Sequence, residues 1–517
     1  MRLSYHWFVR IVCSCAATTF GLLLFFATPR GLGMSPDSVA YLRAAKDFLN
    51  GNWLNSFTSQ WPPLYPTLII LISKTLGLTA IEGARFFQAL LYSANFLVLY
   101  QLIRTYSPHK AISSILLAGL LGLQGVITYI YFYAWSEPLF ILIILLDLII
   151  LRRFQSVTKN SGTGALLHAM LICLAICAVS TRYIGLTVAI LNGLIVLFFY
   201  QGQRLQRITI ATTHVLLPLL FIIPWLRYRS VFQDGNTDRS FAFHGLSLDA
   251  VYNGLGTLGR WVIPNYLPAG QSGGTYLHAT LGVTLLLSVF VCSILCLLFY
   301  NGQKSARKFI SLVAHTAPIT VFIAIYLCVI LFFIVFVDKK IPLDNRILAP
   351  IFLPVLVFLI SLSAGVSNRI LGFILLAYLL FVQIFFYPEF RSRLLVSYFD
   401  GIELTSKSIQ HKKIISLVKT CAPVTRVAAD LPWNYDLYFD HKVSWLPREV
   451  LFGSGLTNTN FKKEVSALEG SVDVLVIEDA NPTLLGEVNG LTQFQKVYEG
   501  DGFVWINKNS RLQGCQF

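Results

Sequence analysis

The chain has 517 residues, of which 55% are hydrophobic and only 13% are charged, and its mean hydropathy is +0.66. Because soluble proteins carry about 25% charged residues, this composition excludes a soluble globular protein and indicates one that crosses a membrane several times. The formal net charge of +15 does not indicate a nucleic-acid partner, because the surplus Lys and Arg lie in connections on one side of the predicted spans, as the positive-inside rule requires.

Eleven hydrophobic segments are predicted to span the membrane, so the fold class is a polytopic α-helical membrane protein. The basic connections place the N-terminus in the cytoplasm, and the odd number of spans places the C-terminal region outside the inner or plasma membrane. The first segment resembles a signal peptide, but we interpret it as an uncleaved anchor because the topology requires it. The predicted spans are Ile11–Thr28, Glu82–Ile103, Ala111–Tyr129, Ser136–Leu151, Leu166–Thr181, Gly185–Tyr200, Ile208–Leu226, Leu277–Tyr300, Phe309–Val337, Ile347–Ala364 and Ile370–Phe386.

The first outer loop, residues 29–81, begins with a predicted helix that carries an acid in its first turn. Ser35 or Asp37 is expected to cap this helix, Pro36 suits its first turn and Gly51 suits its end. Apolar and polar residues fall on opposite faces, which is typical of a helix lying on a membrane surface. The apolar face consists of Leu42, Ala45, Phe48 and Leu49, and the polar face of Arg43, Lys46, Asp47 and Asn50.

The same loop continues with Trp61-Pro-Pro-Leu-Tyr-Pro66, an ordered interfacial segment by composition. Tyr65–Leu76 is apolar but too short to cross about 30 Å of hydrocarbon at about 1.5 Å per residue. It is therefore predicted to be a second surface helix or a re-entrant helix.

Two charged residues lie at the outer ends of later spans. Glu137 lies at the start of the fourth span, after five aromatic residues in positions 129–135; it either stabilises the start of the helix or faces the same cavity as Asp37. Arg182 lies in a turn with almost no loop, at membrane depth; it either faces protein, water or an anionic group, or extends to lipid headgroups. The sequence leaves both alternatives open.

The later outer connections add a long loop and a second charged pair. Loop 227–276 has 50 residues, which favours a functional lid or a second juxtamembrane segment. Asp344 and Arg346 lie at the outer mouth of the tenth span, where the positive end of the helix and the guanidinium together suit a phosphate.

Beyond residue 390 the pattern changes to short strands that alternate with helices, which predicts a small extracytoplasmic α/β domain over residues 391–517 after a transmembrane domain over residues 1–390. Ile402–Lys419 is interpreted as the connection between them. Cys421 and Cys515 lie outside the apolar spans, and whether they form a disulfide stays open. The predicted strands are Thr425–Ala429, Lys442–Leu446, Asp473–Ile477, Phe494–Glu499 and Phe503–Asn507.

The distribution of charge favours chemistry at the outer face over transport through the membrane. The span interiors are nearly free of charge; Asp147 lies one turn from a cytoplasmic end and is expected to extend past Arg152 and Arg153 to water. A transporter is expected to carry ionisable groups near the midplane instead.

The motifs of the outer loops resemble those of bacterial GT-C glycosyltransferases, which are relatives of protein O-mannosyltransferases and of the aminoarabinose transferases that modify lipid A. The resemblance is carried, up to about residue 390, by Ser35-Pro-Asp-Ser-Val-Ala-Tyr-Leu, Trp61-Pro-Pro-Leu-Tyr-Pro, Ser136-Glu-Pro-Leu, Thr181-Arg-Tyr-Ile-Gly and Asp344-Asn-Arg-Ile-Leu-Ala-Pro. It implies a polyprenyl-phosphate-sugar donor, a cavity that opens outward, and an inverting transfer that uses an acid of the first loop. Ser38 replaces the second acid of the mannosyltransferases, and Trp61 replaces a lysine of the aminoarabinose enzymes, so neither acceptor carries over.

The resulting hypothesis is a membrane glycosyltransferase with Asp37 as the catalytic base. Its partners are the polyprenyl-phosphate-linked donor, membrane lipids and an envelope acceptor that is a lipid, a glycan or a protein. Arg85, Arg182 or Arg346 is expected to bind the leaving phosphate. No metal is required, although a divalent ion is compatible with the site. The rival hypotheses are a transporter or flippase of lipid-linked sugars and a non-catalytic membrane scaffold. The predicted substrate-binding residues are Tyr41, Trp61, Arg85, Glu137, Arg182, Asp344 and Arg346.

Overall fold

The computed structural model describes most of the chain. The described residues are 2–52, 61–106, 111–155, 162–200, 202–232, 243–245, 248–262, 276–299, 307–338, 341–365, 387–420, 426–437, 443–450, 457–479 and 481–509, with positions 373, 374, 377, 381 and 384. Cys421, Cys515 and most of the predicted last span lie outside them.

Helices dominate the first 400 residues. In the described residues, the stretches long and apolar enough to cross a bilayer are Trp7–Ala27, Ala80–Tyr106, Gly164–Thr181, Arg204–Arg227 and His315–Phe336. The chain is a multi-pass helical membrane protein, whereas the number of eleven spans stays a prediction. The helices are α1 (Arg2–Ala27), α2 (Pro36–Leu49), α3 (Leu64–Leu76), α4 (Ala80–Tyr106), α5 (Ala111–Gly122), α6 (Gly125–Thr128), α7 (Glu137–Phe154), α8 (Gly162–Thr181), α9 (Leu186–Phe199), α10 (Arg204–Phe232), α11 (Leu248–Val262), α12 (Tyr276–Phe299), α13 (Arg307–Phe336), α14 (Asn345–Gly365) and α15 (Tyr387–Phe399).

The predicted third span, Ala111–Tyr129, is not continuous. Helix α5 ends at Gly122, the short helix α6 follows, and a 3₁₀ turn covers Tyr129–Phe132. Tyr92 of α4 donates a hydrogen bond of 2.6 Å to the carbonyl oxygen of Gly122, so a tertiary contact satisfies a carbonyl at the end of the helix. Hydropathy alone does not reveal this break.

Asp147 does not extend to water as predicted. It lies on α7 with 1% of its surface exposed, and its Oδ1 accepts a hydrogen bond of 3.0 Å from Nδ2 of Asn192 on α9. The carboxyl group faces a neighbouring helix, because a polar partner is available there inside the bundle.

The C-terminal part contains a five-stranded mixed sheet with the strand order β2-β1-β3-β5-β4. Strand β1 is parallel to β2 and to β3, whereas β5 is antiparallel to β3 and to β4. Alternate side chains of β3 enter apolar layers on opposite faces of the sheet: Leu475 and Ile477 on one, Val474 and Val476 on the other. The elements are α16 (Lys407–Gln410), α17 (Lys413–Thr420), β1 (Val427–Ala429), α18 (Trp433–Asp436), β2 (Ser444–Trp445), α19 (Phe461–Ser466), α20 (Leu468–Ser471), β3 (Val474–Ile477), α21 (Pro482–Asn489), β4 (Phe494–Glu499) and β5 (Phe503–Asn507).

Helix α2 packs between the helical part and this C-terminal part. Its bounds confirm the predicted signals, because Ser35 is the N-cap, Pro36 is the first residue and Gly51 follows with a positive φ. Part of the polar face packs against protein instead of lying in water, which corrects the prediction of a surface helix. Arg43 is only 7% exposed and donates to the carbonyl oxygen of Asp436 at 2.7 Å, and Lys46 donates to that of Leu437 at 3.2 Å.

Candidate active site

Backbone pairing brings the start of α2 next to the start of α7. Gly33 N donates to the carbonyl oxygen of Phe132 at 2.7 Å, and Ala134 N donates to that of Gly33 at 3.1 Å. A Cβ atom on Gly33 would lie 2.9 Å from the ring of Tyr133, so this approach requires glycine. Asp37 and Glu137, each in the first turn of its helix, are thereby held at the same end of the bundle.

Buried polar side chains fix this junction. Gln88 of α4 donates from Nε2 to the carbonyl oxygens of Tyr133 and Trp135 at 2.8 and 2.7 Å. The indole Nε1 of Trp135 donates to Oγ of the N-cap residue Ser35 at 2.6 Å. Because these bonds lie in the interior, they position both helix starts rigidly.

Four charged side chains form an alternating chain of ion pairs, which we call the four-charge cluster: Asp37, Arg346, Glu137 and Arg182. Nη2 of Arg346 lies 2.5 Å from Oδ2 of Asp37, and its Nε lies 2.6 Å from Oε1 of Glu137. Nη1 of Arg182 lies 2.7 Å from the same glutamate oxygen. The cluster joins α2, α7, α14 and the turn after α8, and its formal charges cancel.

Burial differs sharply within the cluster. The side chain of Glu137 is 1% exposed, whereas those of Arg182, Arg346 and Asp37 are 15, 19 and 23% exposed. A buried carboxylate needs compensating charge, and Glu137 receives it from both guanidinium groups. The sequence left open whether Glu137 and Arg182 face the cavity of Asp37. In the structure, Glu137 and Asp37 both pair with Arg346, and Arg182 pairs with Glu137.

The surroundings orient both arginines. Cζ of Arg346 lies 4.0 Å from the centre of the Trp135 ring, and Asp344 caps α14 by accepting hydrogen bonds of 3.0 Å from the backbone nitrogens of residues 346 and 347. Arg182 lies in a tight reversal, where a Cβ atom on Gly185 would come within 2.2 Å of the backbone of Ala178.

Tyr41 and Trp61 line the same region. The hydroxyl group of Tyr41 lies 3.0 Å from Oγ of Ser136, which also accepts a hydrogen bond of 3.3 Å from Arg182. The rings of Tyr41 and Trp61 lie 6.4 Å apart. Burial raises the pKa of the Tyr41 hydroxyl well above its usual value, so this group stays protonated at neutral pH.

Arg85 is engaged elsewhere. Its Nη2 donates to the carbonyl oxygen of Phe25 at 2.5 Å, its Nε donates to Oγ1 of Thr28 at 3.2 Å, and its guanidinium stacks on the Phe25 ring. These contacts satisfy the C-terminal end of α1. The assignment of Arg85 to the substrate phosphate stays a prediction.

Sequence reasoning missed a further carboxylate, that of Glu403. The sequence predicts only a connection for the segment that contains it, yet Glu403 forms a backbone bridge with Met34 and accepts a hydrogen bond of 3.3 Å from the hydroxyl of Tyr133. No local signal in Gly-Ile-Glu-Leu-Thr indicates this, because the contact partners lie about 270 residues and more away along the chain.

The four-charge cluster contains the chemical groups that a reaction at a phosphate-linked group needs: donors that can bind an anion and a carboxylate that can accept a proton. In the described part of the chain, Nη1 of Arg346 and the Nε and Nη2 of Arg182 have no hydrogen-bond partner, so these donors are available to an anion. The partly exposed carboxylate of Asp37 is available to accept a proton. Within the described residues, no three His, Cys, Asp or Glu side chains converge as metal ligands would.

Comparison with known proteins gives a clear result at the level of the fold. No protein-family model and no curated protein matches the sequence. ArnT from Cupriavidus metallidurans in the apo state is similar over 99% of this chain and 100% of its own, with a TM-score of 0.52 and 14% identity. The same protein bound to undecaprenyl phosphate gives a TM-score of 0.51 at 14% identity over 98 and 99%. The oligosaccharyltransferase AglB from Archaeoglobus fulgidus, in complex with an inhibitory peptide and a dolichol-phosphate, gives 0.51 at 11% identity over 98 and 75%.

Proposed function

Because the chain has the fold of the GT-C membrane glycosyltransferases, as its motifs predicted, we propose that it transfers a sugar from a polyprenyl-phosphate carrier to an envelope acceptor. The observation that carries this proposal is the four-charge cluster, in which the accessible carboxylate of Asp37 pairs with Arg346, and Arg346 is joined through Glu137 to Arg182. Both arginines have unused donors. Structures of two proteins with this fold contain undecaprenyl phosphate and dolichol-phosphate, which supports a lipid-phosphate carrier.

The proposed reaction is a single displacement with inversion. The acceptor hydroxyl attacks C1 of the sugar, the bond between C1 and the phosphate oxygen breaks, and its electron pair stays on the phosphate. Asp37 accepts the proton of the hydroxyl group as a general base, a contribution of about 10²–10⁴-fold. The free donors of Arg346 and Arg182 stabilise the charge on the leaving phosphate.

The membrane orientation belongs to the same proposal. With the N-terminus in the cytoplasm, the four-charge cluster and the C-terminal sheet lie on the outer side, where the acceptor is a lipid, a glycan or a protein of the envelope. Guanidinium groups supply the positive charge for the leaving group, so this mechanism does not need a divalent ion. Residues 391–517 then form an extracytoplasmic domain.

Replacement of Asp37 tests the function. The reconstituted protein is incubated with labelled polyprenyl-phosphate sugars and envelope acceptors, and new glycosidic bonds are detected by mass spectrometry. Asp37→Asn is expected to lower the rate by about 10²–10⁴-fold. Asp47→Asn is the matched control, since it removes a carboxylate of the same helix that pairs with Arg43 at 2.9 Å, outside the four-charge cluster.

Two results would contradict the proposal. Full activity of Asp37→Asn would exclude this residue as the base. Movement of the labelled lipid-sugar across the bilayer without formation of a glycosidic bond would favour the transporter or flippase instead.

A further inference from the structure

Glu403 lies beside the four-charge cluster on an aromatic wall. Tyr133, whose hydroxyl donates to Oε1 of Glu403 at 3.3 Å, stacks on Trp135 with ring centres 4.1 Å apart. Trp135 in turn supports the guanidinium of Arg346 at 4.0 Å. The carboxylate is close enough for the Arg346 and Asp37 charges to act on it, in opposite directions. Glu403 therefore belongs to the same site, although it comes from the segment after α15.

The backbone of Glu403 adopts a conformation that glutamate rarely takes. It is the second residue of a turn that Thr405 N closes onto the carbonyl oxygen of Ile402 at 3.2 Å, and its φ is +49°. No other non-glycine residue in the described ranges has a positive φ. Gly, Asn and Asp are favoured at such a position, so a glutamate here lowers stability. Residues held in this way are concentrated at functional sites.

Tyr133 is the one hydrogen-bond donor to the Glu403 carboxylate among the residues that the structure describes. Glu403 is exposed to solvent and forms no ion pair with any residue that the structure describes. Partial withdrawal from water raises the pKa of its carboxyl group, the Asp37 carboxylate raises it further, and the Tyr133 hydroxyl and Arg346 lower it. Its remaining acceptor capacity, up to about four lone-pair sites in a carboxylate, is therefore directed at solvent or at a ligand.

We propose that Glu403 binds hydroxyl groups of the carbohydrate that reacts beside Asp37, an inference that rests on the proposed function. A carboxylate repels phosphate and accepts hydrogen bonds, so its ligand is the uncharged, hydroxyl-bearing part of a substrate. The phosphate is assigned to the arginines. Glu403 thus determines how the sugar lies relative to Asp37, and it contributes to selection between sugars.

The strained turn supplies a sharp test, because three variants separate a structural role from a binding role. Glu403→Gln removes the charge and keeps the shape, whereas Glu403→Gly and Glu403→Asn remove the carboxylate and relieve the backbone. All three are expected to raise the KM for one carbohydrate substrate about 10-fold or more, with kcat changed less than about threefold. Glu403→Gly is also expected to melt at a higher temperature than the wild type. Tyr133→Phe is the control that keeps the aromatic wall and removes one hydrogen bond to the carboxylate.

The readouts are the KM for the donor, the KM for the acceptor and the melting temperature. A rise in the donor KM identifies the sugar of the carrier as the ligand, and a rise in the acceptor KM identifies the acceptor glycan; either result supports the proposal. An unchanged KM for both substrates in Glu403→Gly would overturn it while leaving the transferase function intact. Absence of transfer by the wild-type protein would overturn the proposed function and this inference with it.

Discussion

Removal of the Glu137 carboxylate, which is buried at the centre of the four-charge cluster, should lower the melting temperature of the protein. Glu137 is 1% exposed and bonds to Arg346 at 2.6 Å and to Arg182 at 2.7 Å. Breaking a buried pair by removing one partner costs about 3–5 kcal/mol, because the other charge stays buried without compensation. Glutamine retains a neutral acceptor oxygen, so we expect Glu137→Gln to cost about 3 kcal/mol, at the lower end of that range.

The measurement is thermal unfolding in micelles, followed by intrinsic fluorescence. A domain of 150–250 residues shifts by about 2–4 °C per kcal/mol, and a longer chain shifts by less, so about 6 °C is the upper bound for Glu137→Gln. Asp37→Asn is the matched variant, since Asp37 is 23% exposed and Arg346 retains Glu137. Because Asp37 reaches water and Arg346 keeps a carboxylate partner, we expect a loss of about 1 kcal/mol, the upper value for pairs that solvent reaches, and a shift of about 2 °C. Equal melting temperatures for the two variants would refute the reasoning from burial.

Two further predictions concern one arginine of the four-charge cluster and one on the polar face of α2. Arg346→Lys should lower the rate of glycosidic bond formation by about 10-fold or more. An ammonium group lacks the forked donors that reach both Asp37 and Glu137, and it lacks the planar face that stacks on Trp135. An unchanged rate would contradict the role of the guanidinium. Arg43→Met should lower the free energy of unfolding by about 1–3 kcal/mol, since it keeps a buried apolar stem but removes the hydrogen bond of 2.7 Å to the carbonyl oxygen of Asp436 and the ion pair with Asp47. A melting temperature equal to that of the wild type would exclude this contribution.

Local sequence signals predicted where α2 begins. Whether its polar side chains meet water or protein depends on tertiary contacts, which those signals do not contain. Ser35 caps the helix through a contact three residues away, which is why its N-terminus was readable from the sequence. The periodicity placed Arg43, Lys46, Asp47 and Asn50 on one face of the helix. It did not reveal whether Arg43 meets water or protein, because its partner Asp436 lies 393 residues further along the chain.

The same limit applies to the site. The motifs indicated that Glu137 and Arg346 belong to one end of the bundle, but 209 residues separate them, and periodicity contains no information about their pairing. For Glu403 even the residue type was misleading, since its positive φ would have favoured Gly, Asn or Asp in a turn. Only the folded backbone shows that the segment after α15 pairs with Met34 and thereby brings the Glu403 side chain to the site.

The three carboxylates Glu137, Asp37 and Glu403 differ in exposure, and we infer different tasks from this difference. Glu137 is buried and pairs with two arginines. A substrate group that displaced Glu137 from these arginines would leave its buried charge uncompensated. Asp37 shares one of those arginines but reaches solvent, so it can give up that contact to the leaving phosphate and accept a proton. Glu403 is exposed and has no ion pair among the described residues, so a ligand can bind it without breaking one. In the proposed reaction, binding of the phosphate to Arg346 would therefore weaken the Arg346–Asp37 contact and not the Arg346–Glu137 contact. Asp37, the proposed base, would then be free when the donor is in place.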